Sequence, residues 1–199
     1  SSVDLRLTLM SASGIGVLIY FALPMLMPEV LAEVQKQSEV MLAEALKDNL
    51  ELWHNIQPKV GPLMVGALAA VQTMVMILCV LLARWWQAAF YNPGGYSEEF
   101  HPLRLPTGFT ASVVLLLVFG SSLSPLISGI LPILTIPLVI AGAAFVHGIV
   151  GMKNLGGQWL FAFYISVFLF GPYLFTLLIF LALIDSIIDI RGRLKDTVD

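Results

Sequence analysis

Long apolar runs divide this chain before any single motif does. Crossing roughly 30 Å of hydrocarbon at 1.5 Å per residue takes about 20 consecutive residues without charge. Stretches of that kind run near residues 7–27, 60–82 and 159–184, and Thr110 to Met152 is a further 43 residues without Asp, Glu, Lys or Arg. That last stretch is too long for one span and fits a tight hairpin of two, near 110–130 and 132–152. Ser124-Pro125 and the prolines at 132 and 137 put the break within 124–133. The runs are continuous, whereas a lipid-facing barrel strand would alternate, so helices are predicted throughout. Pro24, Pro137 and Pro172 sit inside or at the ends of these helices as candidate kinks.

Between the first two spans the period changes. Val30, Val34, Met41 and Ala45, with Leu31, Leu42, Leu46 and Leu50 near the same side, recur at helical spacing opposite Glu33, Lys36, Glu44, Lys47 and Glu51. This predicts an amphipathic interfacial helix over 29–57, with Trp53 and His54 near its end suited to the interface. The expected fold is therefore an all-α integral membrane protein, a bundle of about five transmembrane helices plus one amphipathic helix, in a single membrane domain over 1–199. The chain starts Ser1-Ser2 without Met or a cleavable leader pattern, and further spans are expected before it.

Composition strengthens this picture. Hydrophobic residues make up 58% and charged ones 12%, an excess that one soluble core of 199 residues could not bury. Mean hydropathy is +0.91. The lipid bilayer is thus one partner, while ten scattered Lys and Arg at a net charge of -3 offer nucleic acid no basic stripe. Cys79 is alone, which excludes a disulfide within the chain. With five crossings, Arg6, Arg84, Arg104 and Lys153 fall on one side and Lys36, Lys47, Lys59, Arg191, Arg193 and Lys195 on the other. The cluster after the last span argues for a cytoplasmic C-terminus.

Three segments could carry chemistry. Residues 84–108 read as an interfacial turn segment. Trp85, Trp86, Tyr91 and Tyr96 have the apolar ring and polar edge that interfaces attract, and Asn92-Pro93-Gly94-Gly95 is a turn signal. Glu98, Glu99, His101 and Arg104 follow, with an ion pair of Arg84 or Arg104 to Glu98 or Glu99 expected to fold the segment back onto the helix ends. In the second segment, His147 should point into the bundle and bond another helix, with Gly142, Gly148 and Gly151 marking a close helix approach. In the third, Asp185 and Asp189 lie one helical turn apart, near Arg191 and Arg193, and form a polar cluster at a span end. No phosphate loop, nucleophile elbow, zinc motif or other metal signature appears, so no cofactor, metal or catalytic residue is assigned, and the chain reads as no enzyme.

Arg84-Trp85-Trp86-Gln87, Tyr91-Asn92-Pro93-Gly94-Gly95, Glu99-Phe100-His101, Leu103-Arg104-Leu105, Ala141-Gly142 to His147-Gly148 and Asp185-Ser186 to Arg193 together resemble the YybS-like family of uncharacterised bacterial multispanning proteins. The resemblance covers roughly 60–194. That family is distantly similar to the S components of energy-coupling-factor transporters. What the resemblance implies is a solute-binding subunit of a bacterial inner membrane, with a membrane-protein partner and a small-molecule ligand. Trp85, Trp86, Tyr91, Asn92, Glu98 and His101 would then line or gate one mouth, with His147 deeper. The alternative is a scaffold or assembly partner of an envelope complex that uses the amphipathic helix as its contact surface.

Overall fold

The computed structural model describes residues 4–196, and these form helices α1 Leu5–Leu26, α2 Pro28–Ala45, α3 Leu50–Tyr91, α4 Gly95–Phe100, α5 Thr107–Leu123, α6 Pro125–Met152, α7 Gln158–Ile188 and α8 Ile190–Asp196. No strand occurs among the described residues. The protein is an all-α membrane protein. Helices α1, α3, α6 and α7 are long and apolar enough to cross a bilayer, and α5 is a shorter apolar helix.

Local capping sets several boundaries. The Asp4 side chain accepts from the Arg6 amide, Asn49 from Leu52, and Ser124 from Leu126 with Pro125 opening α6. The Asn49 cap corrects the expected amphipathic helix over 29–57. It ends at Ala45, and Leu50 onward begins α3, which continues without a break through Pro58 and Pro62 into the second span. In the same way the hairpin break falls at Ser124, and Pro132 and Pro137 lie inside α6. The turn expected over 84–108 is also shorter, because Arg84 to Tyr91 are the last turns of α3.

Small residues let the central helices meet. A side chain on Gly66 would run into the backbone carbonyl of Gly129, and one on Gly16 would meet Thr73 and Ile133, so α3, α6 and α1 approach almost backbone to backbone. Gly142 abuts the Leu178 carbonyl in α7. One end of the bundle carries α4. The other carries α2, which crosses α3 with Gln35 against Gly61 and the Ser38 hydroxyl 2.9 Å from Met64 Sδ.

Helix α7 departs most from expectation. Five residues separate its start from the end of α6, and its Tyr164 bonds His147 near the C-terminal end of α6. Further along, Leu178 packs on Gly142, while Arg191, just past the helix, packs on Gly148. From Leu178 to Arg191 the chain therefore runs parallel to α6, back toward the end from which α7 set out. Phe170, at φ −121 and ψ 25, breaks the helical geometry ahead of Gly171-Pro172 and provides the reversal. The fifth crossing expected over 159–184 is thus a re-entrant helical hairpin. Arg191 and Arg193 lie at the α4 end with Arg6, Arg84, Arg104 and Lys153, leaving Lys36, Lys47 and Lys59 at the α2 end.

Candidate functional site

The α4 end is held together by two sets of charges. In the first, Asn92 ends α3, Gly94 adopts φ +93, and the Gly95 amide donates to the Asn92 carbonyl at 3.0 Å. This turn reverses the chain so that Phe100 is buried and the Tyr96 ring stacks on it at 5.4 Å. Glu99 then faces back to α3, where Arg84 Nη2 donates to both its oxygens, to Oε2 at 2.6 Å. The expected pairing of Arg84 with Glu99 is present, and the segment folds back as expected.

Arg104 does not join that pair. It belongs to a second set that ties the residues after α4 to the end of the α7 hairpin. Asp185, 1% exposed, accepts from Arg191 Nε at 3.1 Å and Nη2 at 2.6 Å, and from Arg104 Nε at 3.2 Å. Arg191, 7% exposed, also donates to the carbonyls of His101 and Leu103, to the latter at 2.8 Å, with its guanidinium over the Phe145 ring. Asp189 sits at φ +54, and its carboxylate accepts from Arg104 and from the Gly192 amide at 2.9 Å. Thr107 donates to the Ser186 carbonyl at 2.8 Å, and Ser186 to the Leu105 carbonyl at 3.3 Å. Two cations and two carboxylates thus neutralise one another while serving carbonyls that no helix satisfies.

These contacts move the titrations of groups at this end. The hydrogen bond from Arg104, then that from the Gly192 amide, holds the Asp189 carboxyl below its ordinary value, and the bond to Asp189 raises Arg104. Burial, assisted by Tyr164 and Glu99, pushes the Tyr96 phenol up to about 12. Burial, then the Arg191 charge, lowers His101.

Beside the second charge set lies a pocket of about 570 Å³, bordered by Ser97, Glu98, His101, Arg104, Asp189 and Arg191, with Gly148 and Met152 of α6 beneath. The approach is close, since a side chain on Gly148 or Gly151 would press on the carbonyl or ring of His101. Glu98 is exposed and makes no ion pair among the described residues. His147 bonds Tyr164 Oη at 2.8 Å, as expected of a histidine facing the bundle, with its ring 6.4 Å from that of His101.

The sequence candidates therefore divide. Glu98, His101, Arg104, Asp189 and Arg191 converge on the pocket. His147 and Trp85 line an adjoining space, and Gly94 and Gly95 shape the turn. Trp86, Tyr91 and Asn92 are exposed, Tyr91 at 87%, and Arg193 is exposed and does not border the pocket. Among the described residues no three His, Cys, Asp or Glu gather to hold a metal. Sequence reasoning missed Ser186 and Thr107, whose partners are backbone carbonyls brought near only by the α7 reversal. No protein-family model, curated protein or solved structure matches the chain.

Two predictions arise here. Gly94 has open space around its Cα, so valine there meets only the strain of φ +93, and Gly94→Val is expected to destabilise the turn by about 1–2 kcal/mol while membrane insertion is unchanged. Faster hydrogen exchange at the α4 amides, with a normal yield in membranes, is the result to look for. The second concerns pH. Because His101 titrates below its ordinary 6.5, the unfolded chain takes up the proton first. Its contribution is complete above 6.5 and is lost as pH falls from there toward the folded value. Hydrogen exchange at the α4 amides should accelerate over that window in the native protein and much less in His101→Gln.

Proposed function

We propose that the protein is a non-enzymatic, multi-pass subunit of the bacterial inner membrane that binds a small solute at its α4 end, in the manner of the S components of energy-coupled transporters. The observation that carries this reading is the pocket of about 570 Å³ in which Glu98, His101, Arg104, Asp189 and Arg191 converge under the α4 turn. Its volume and its few convergent polar groups are those of small-molecule sites in general. The chain has no phosphate loop of its own, so energy coupling falls to a partner subunit. Seven Lys and Arg at the α4 end, counting Lys195 by its place in α8, against three at the α2 end favour a cytoplasmic α4 end, and with it a cytoplasmic C-terminus.

The reading is tested by thermal shift of the purified full-length protein against a vitamin and metabolite panel. A ligand at about 100 times its Kd stabilises by roughly 2.7 kcal/mol, and Met152→Trp, which enlarges a side chain already lining the pocket, should abolish the shift. No shift from any compound, or a shift that survives Met152→Trp, overturns it.

A second reading, an assembly partner in an envelope complex, is favoured by one observation. Helix α2 has no buried residue and exposes Val30 and Met41 on the side away from α3. Crosslinking mass spectrometry from native membranes separates the two, because a stoichiometric neighbour crosslinked through Lys36 or Lys47 supports assembly and no protein crosslink there removes it.

A further inference from the structure

The α2 end carries a crevice that the solute-binding reading leaves unused. Helix α2 runs back along the start of α3, joined to it through residues 46–49. Gln35 meets Gly61, and one turn farther from the bundle on each helix Glu39 and Gln57 share a level. Between this helix pair and the end of α1 lies one continuous space of about 660 Å³. Its inner part is walled by Pro24, Pro28, Leu31, Pro62 and Val65, and its outer part by Gln35, Glu39 and Gln57. From Val65 to Gln57 it extends about 12 Å along α3 at 1.5 Å per residue.

The outer part is built to accept hydrogen bonds. Glu39 is the only charged residue on the crevice, and it makes no ion pair among the described residues. One of its oxygens accepts from Gln35 Nε2 at 2.8 Å, which leaves its other oxygen and Gln35 Oε1 without a partner among the described residues. The Gln35 amide is seated by close packing on Gly61, where an added Cβ would lie 2.8 Å from Oε1. Pro58 on the α3 wall adds a further acceptor, because the helical partner of its carbonyl would be the amide of Pro62, which has no N–H.

Charge gives the crevice its sign. Residues 28–59 hold six acidic and three basic side chains, and none of the basic ones borders it. An anion is repelled here and finds no cation, whereas an ammonium group finds a carboxylate and amide oxygens. The apolar inner walls select an uncharged body behind that group.

Independently of the pocket at the α4 end, we propose that this crevice binds a free, small organic cation, a primary ammonium on an apolar body up to about 12 Å long. The ammonium lies against Glu39 and Gln35 at the outer end, and the body fills the space between Pro24, Pro28 and Pro62.

The test is native mass spectrometry of the full-length protein from phosphatidylcholine nanodiscs, with phenylbutylamine as the probe and phenylbutanol, phenylbutanoate and butylamine beside it. Phenylbutylamine should form a saturable one-to-one adduct about ten-fold tighter than the alcohol, the acid or butylamine. Glu39→Gln should lower its affinity about ten-fold, and Ala32→Phe, which fills the crevice from the α2 wall, should lower it to the level of butylamine. No residue of α2 is buried, so both variants should unfold at the native temperature and the losses are read on binding alone. Phosphatidylethanolamine carries the same ammonium beside a phosphate that no Lys or Arg on the crevice can meet, so adding it to the nanodisc should leave the affinity unchanged. Equal binding of the alcohol or the acid, or indifference to Glu39→Gln, overturns the cation. Butylamine binding as tightly as phenylbutylamine overturns the apolar body. Competition by phosphatidylethanolamine makes a lipid headgroup the occupant and overturns the free solute. An adduct that survives Ala32→Phe but is lost in Met152→Trp lies at the α4 end and overturns the placement. No saturable adduct overturns the proposal as a whole, whereas the solute-binding reading falls only if the metabolite panel also fails.

Discussion

Replacing Arg191 with alanine is expected to cost about 3–5 kcal/mol, the largest loss from any single charge in the protein. Asp185 is 1% exposed and takes two of its hydrogen bonds from the Arg191 guanidinium, which also serves the His101 and Leu103 carbonyls. Truncation leaves a buried carboxylate with only Arg104 Nε as a side-chain donor and strips both carbonyls of a partner. Unfolding in mixed micelles should show the loss, and the hairpin end should exchange amide hydrogens far faster. The cause can be separated from lost packing. In a double-mutant cycle with Asp185→Asn, the pair should couple strongly, because once the carboxylate charge is gone the guanidinium matters much less. Additive losses would mean that the charge pairing does not hold the clasp.

Gly66→Val is the second large expectation, at about 3 kcal/mol or more. The valine Cβ would stand inside the Gly129 carbonyl, and Gly129 in turn abuts the Pro62 carbonyl and the Tyr20 hydroxyl, so no flexible side chain can yield. Helices α3 and α6 must separate. The better helix propensity of valine offsets only a few tenths of a kcal/mol of that. Gly14→Val in α1, where nothing lies within contact of the added carbon, is the matched control and should be nearly neutral.

The spans were legible because avoidance of charge over about 20 residues is a strong constraint in lipid. Residues 7–27 anticipate α1 Leu5–Leu26 closely, and the Arg84–Glu99 pair followed from charges placed either side of a turn signal. The α7 reversal was not legible. Trp159 to Ile184 is equally apolar whether it crosses or doubles back, and Pro172 alone reads as an ordinary kink. What decides is the packing of Leu178 on Gly142 and of Arg191 on Gly148, contacts that hydropathy does not encode. Arg191 suffered from the same ambiguity. Beside Asp185 and Asp189 it looked like a charge stopping a span at the surface, but the hairpin brings it back under the residues after α4 and buries it. The end of α2 is not legible either, because the apolar period continues past Leu46, whereas the Asn49 cap interrupts the backbone there.

The re-entrant α7 hairpin is the claim on which the clasp, the pocket and the sidedness all depend. Substituted-cysteine labelling tests it most directly. Ser97→Cys, Arg193→Cys and Asp48→Cys are each placed in a Cys79→Ser background, and a membrane-impermeant maleimide is applied to intact and permeabilised cells. The hairpin predicts that residues 97 and 193 label from one side of the membrane and residue 48 from the other. Labelling of residue 193 from the same side as residue 48 would mean that α7 crosses the bilayer, and would contradict the account.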